Sequence, residues 1–97
     1  MAVMTAEDWR RFWEERGMRE LRLLLAECWD PLGAGTPRQR EACAFRIASL
    51  LGSRAASPAI TEELGRIRGE LRLGEAPEED ARAAATVAAW FEAVAAE

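Results

Sequence analysis

Proline and glycine cut this chain into segments whose apolar residues recur every three or four positions, and no segment alternates at period two. That pattern admits helices and excludes a sheet. Ala, Leu, Glu and Arg, all strong helix formers, supply most of the residues between the cuts. The clearest stripe is Ile60, Leu64, Ile67 and Leu71, behind Ser57-Pro58, which reads as a cap followed by a first-turn proline. Gly65 and Gly69 interrupt that helix and mark either an exposed face or the close approach of another backbone. Thr36-Pro37-Arg38-Gln39 predicts a second helix start, with Thr36 as the cap and Gln39 reaching back to it. Cys43, Ile47, Leu50 and Leu51 form its inward face, Phe45 lies to one side, and Gly52 ends it. The last helix opens at Pro77 with Glu78, Glu79 and Asp80 at its positive dipole end, and buries Ala84, Val87, Phe91 and Val94.

The N-terminal third carries two apolar sets. Thr5 is placed to cap a helix bearing Trp9, Phe12 and Trp13; beyond Gly17 the set becomes Met18, Leu21, Leu24, Leu25 and Cys28. On an unbroken helix the two sets point in different directions, which predicts a kink or break near Gly17. At 97 residues there is room for one domain. The expected fold is all-α: an irregular four-helix bundle over residues 18–97 with an extra N-terminal helical segment over residues 1–17.

The side-chain inventory narrows function. There is no His and no Tyr, and all thirteen cationic residues are Arg. Without imidazole, amine or phenol, Ser and Thr hydroxyls have no base to activate them, so no catalytic residue and no enzyme is expected. Cys28 and Cys43 are too few for a zinc site, and no cofactor or metal is expected. Gly33-Ala34-Gly35 precedes a helix but matches no phosphate-loop spacing and reads as a plain turn. No stretch is long and apolar enough to span a membrane, and no secretory pattern opens the chain, so the expectation is a cytoplasmic protein.

Net charge is −4 and unevenly spread. Arg38, Arg40, Arg46 and Arg54 against Glu41 leave residues 31–56 at +3; six acids against Arg82 leave residues 75–97 at −5. Nucleic acid is a poor partner for this balance. The four arginines are expected to pair with the acidic C-terminal segment or to face solvent. An acidic face suits a basic protein partner, with Glu78, Glu79 and Asp80 as candidate contact residues. Trp9 and Trp13 either cover the end of the core or anchor a partner, a second copy of the chain among the choices.

The most distinctive stretch ends in Trp29-Asp30-Pro31-Leu32-Gly33. Asp30 is expected to accept from backbone amides of the following loop, Pro31 to fix the turn, Trp29 to pack beside it, and Gly33 to allow a positive φ. This stretch resembles the "EWDPIG" signature of the YugE-like family of small bacterial helical proteins of unknown function. Ile47-Ala48-Ser49-Leu50-Leu51 and Ser57 through Leu73 resemble that family's later helices in order and spacing. Where the family has tyrosines and an Asp ahead of its second-helix core, this chain has Arg40, Glu41 and Cys43. The resemblance covers residues 18–73. It implies a setting among polymorphic toxin systems, and hence an immunity protein that neutralises a cognate toxin by covering its active surface. The alternative is a helical scaffold or self-association module.

Overall fold

The computed structural model describes residues 5–29, 31 and 35–96. Among the described residues every regular element is helical. Helix α1 (Ala6–Phe12) runs through a π-helical turn (Trp13–Gly17) into α2 (Met18–Cys28); α3 (Pro37–Gly52), α4 (Ser57–Glu70) and α5 (Pro77–Ala95) follow. The fold is all-α, as expected. Asp30, Leu32 and Gly33 of the distinctive motif lie outside the described residues.

Local signals explain most boundaries. Thr5 Oγ1 accepts from the Asp8 amide at 3.1 Å, and the Asp8 carboxylate accepts from the Thr5 amide at 3.0 Å. Thr36 and Gln39 make the same reciprocal pair at the start of α3. Ser57 differs from expectation. The cap of α4 is Ala56, with no side-chain hydrogen bond, and Ser57 is already helical. Helix α3 ends at Gly52, as expected. The chain leaves α3 and α4 through left-handed Arg54 (φ 60°) and Arg72 (φ 58°). The amides of Ala55 and Leu73, three residues past each helix, close on the Leu50 and Arg68 carbonyls, a Schellman arrangement.

No break occurs at Gly17; the helix widens instead. At about 100° per residue, an unbroken helix would set the Trp9/Phe12/Trp13 face and the Leu21/Leu25/Cys28 face roughly 130° apart. A π turn accommodates one extra residue and removes about 100° of that offset. Both sets therefore face the same core. Residues 5–17 accordingly pack on the bundle rather than stand apart from it. Trp9 and Trp13 stack on Phe91 of α5 at 5.2 and 5.9 Å between ring centroids, and buried Phe12 sits 6.2 Å from Trp90. Gly17 is required there, because a Cβ would fall 2.5 Å from the Phe12 ring and 2.6 Å from the Trp13 ring.

Helix α2 packs on α3 and on α5, α3 packs on α4, and α4 and α5 share the most extensive contact. The four long helices thus close a ring, with the α2/α3 pair on one side and the α4/α5 pair on the other. Leu21, Leu25, Trp29, Ile47, Ile60, Leu64, Ala84 and Val87 fill the centre with no exposed surface.

Candidate functional site

Trp29 is wholly buried, and its indole Nε1–H donates to Asp80 Oδ1 at 2.8 Å. Arg68 donates to the same oxygen from Nε at 3.2 Å and Nη2 at 2.8 Å. Its guanidinium also sits 5.5 Å from the Trp29 ring centroid. Asp80 is 3% exposed and Arg68 6%, so this is an interior ion pair joined to the end of α2. The Asp80 carboxylate raises the Arg68 pKa above its ordinary value and keeps the guanidinium charged despite burial. Glu79 Oε1 approaches Arg68 Nη2 at 3.6 Å and has no hydrogen-bond partner of its own.

Asp80 therefore departs from its sequence expectation. It was a candidate for contacting a partner from the acidic start of α5; the helix turns it into the core, because successive residues point about 100° apart. Glu79 is half turned inward and Glu78 is exposed. Sequence reasoning missed Arg68. Its one signal was position: four residues after Leu64, on the buried stripe, where an arginine requires an interior acid.

This pair floors a groove of about 620 Å³ between α4 and the start of α5. Thr61, Gly65 and Gly69 form its α4 wall, and Glu62 and Glu75 stand at its mouth. A Cβ on Gly69 would meet nothing within 4 Å, and one on Gly65 would meet only Asp80 Oδ2, at 3.8 Å. The α4 backbone is thus bare at two positions a helical turn apart, and among the described residues no other part of the chain packs close against either. All three donors to Asp80 use Oδ1; Oδ2 lies toward Gly65 and the groove. The arrangement offers carboxylate oxygens and an open helix backbone to a slender cationic group.

The other singled-out residues lie elsewhere. Trp9 and Trp13 are half-buried in the aromatic cluster at the opposite end of α5. Pro31 is half-buried. Arg46 pairs with Glu63 at 2.8 Å and with both Glu70 oxygens at 2.9 Å, so its partners are on α4 rather than in the C-terminal segment. Cys43 is buried and its thiol is pushed up to about 12; burial also raises Cys28. Among the described residues, no group of three or more His, Cys, Asp or Glu is placed to hold a metal ion. No helix among them is long and apolar enough to cross a membrane.

Comparison of the chain with family models, curated proteins and solved structures finds no match.

Proposed function

We propose that this chain is a non-catalytic protein-binding domain that neutralises a basic toxin domain by covering its active surface. The observation that carries the reading is the α4/α5 groove: Glu62 and Glu75 line it together with Arg66, the Arg68–Asp80 pair floors it, and Gly65 and Gly69 leave its helix backbone bare. An arginine or lysine side chain of the partner would enter it, and the net charge of −4 would steer the approach. The resemblance to the YugE-like family points the same way, through the toxin setting that it implies.

The test is co-expression with the product of the neighbouring gene, followed by co-purification and growth rescue. Gly69→Leu fills the groove at a position where the monomer has open space, so the variant is expected to fold. The proposal expects a tight complex and rescue with the native chain, and loss of both with Gly69→Leu. Absence of any complex, or a complex indifferent to Gly69→Leu, would overturn it.

A further inference from the structure

The acid that floors the α4/α5 groove has one oxygen left over. Asp80 is 3% exposed, and its Oδ1 accepts from the Trp29 indole N–H and from two N–H groups of Arg68. No donor among the described residues reaches Oδ2, which lies 3.8 Å from where a Gly65 Cβ would stand. An oxygen this deep draws a donor from whatever fills the groove. The way to it is apolar: Gly65 and Gly69 carry no side chain on one wall, and Leu73, Ala76 and Pro77 line the rest. Both arginines that line the groove are engaged. Arg68 is held by Asp80 with Glu79 beside it, and Arg66 pairs with Glu62 and Glu63 on its own helix. Glu62, Glu75 and Asp80 against Arg66 and Arg68 leave the lining at −1, and Glu79 beside Arg68 makes the site −2.

We infer that the partner group seated here is the ammonium of a lysine side chain rather than an arginine guanidinium; the inference rests on the partner-binding reading and narrows it. A guanidinium gains most from a carboxylate when both oxygens are open to its paired N–H groups. Oδ1 is already filled by Trp29 and Arg68, so Asp80 offers one oxygen only. A guanidinium there would leave most of its five N–H groups without an acceptor. An ammonium is a compact point charge and needs no matched pair of oxygens. It donates one N–H to Oδ2 and keeps the other two for water in the open groove. Its unbranched methylene stem lies along the bare α4 backbone, against Leu73 and Pro77.

Titration of the isotope-labelled chain with Nα-acetyl-lysine amide, followed by NMR, tests this without any partner. Saturable shifts, with a dissociation constant on the order of millimolar, are expected at the Gly65 and Gly69 amides. They are also expected at the Trp29 indole N–H, whose acceptor is the other oxygen of the same carboxylate. The corresponding arginine derivative should bind more weakly by about tenfold or more, the scale of one well-made hydrogen bond. The uncharged norleucine derivative should not bind. Gly69→Leu should abolish lysine binding while keeping the helical circular dichroism. A chain that gives no saturable shift with the lysine derivative, or that takes the arginine or norleucine derivative as tightly, overturns the inference. Lysine binding that persists in Gly69→Leu overturns it too. These failures would leave a toxin complex free to form through other contacts. A chain that binds the lysine derivative but forms no complex with the neighbouring gene product would instead sink the toxin reading and leave the lysine site standing.

Discussion

Trp29 and Asp80, 51 residues apart in sequence, meet through one 2.8 Å hydrogen bond in the core. That bond ties the end of α2 to the first turn of α5, and Arg68 completes it from α4. Three helices are fixed relative to one another at a single carboxylate oxygen. The groove above inherits its shape from that junction.

Removing the acid alone should be severe. Asp80→Ala strands the buried Arg68 charge and the Trp29 N–H, and is expected to cost about 3–5 kcal/mol in urea denaturation. Replacing both charges with apolar residues, Arg68→Met with Asp80→Leu, should give a chain more stable than Asp80→Ala alone. A double variant no better than the single would show that the ion pair is not the main term.

The glycines of this chain should respond in opposite directions. Gly17→Ala gains helix propensity but drives a Cβ into the Phe12 and Trp13 rings, and is expected to lose about 1–3 kcal/mol. Gly69→Ala meets nothing and Gly65→Ala almost nothing, so each should gain about 0.5–1 kcal/mol. Thermal melts of the three variants give the signs.

Arg54 and Arg72 hold left-handed backbone that costs an L-residue about 1–2 kcal/mol. Glycine relieves that strain and gives back part of the gain through its freer unfolded state. Arg54→Gly and Arg72→Gly should each raise the melting temperature. A fall would mean that the arginine side chain contributes more than the strain removes.

Acid should loosen the α3/α4 contact. Burial works to raise the Glu63 pKa, and the Arg46 and Arg66 guanidiniums outweigh it, leaving the carboxyl below its ordinary 4.5. Arg46 likewise lowers Glu70. The unfolded chain therefore binds protons more readily than the folded one across this window. The stability these groups contribute is complete above pH 4.5 and is lost as pH falls through the depressed folded values. Glu63→Gln should flatten the decline in melting temperature on acidification.

The helices were legible because their determinants are local. Thr36 with Gln39, Pro77 with its acids, and the Ile60–Leu64–Ile67 stripe each report on one or two turns. The site was not legible, because it depends on pairing between segments. Asp80 looked like a first-turn dipole acid, which explains its charge and says nothing of its direction. Arg68 looked like one more arginine on a charged helix. Only the packing of α4 against α5 makes them partners. Gly17 was visible as an anomaly, yet propensity treats it as a helix breaker, whereas here it is the clearance that two aromatic rings need.

The π turn at Trp13–Gly17 has a consequence for descent. A widened turn holding one surplus residue is what a single-codon insertion into an ordinary helix leaves behind. Deleting one residue there would restore regular winding while keeping everything downstream in phase. Homologous chains should therefore tolerate a one-residue gap at this point, and a lineage without the surplus residue would have no need of the bare position at Gly17.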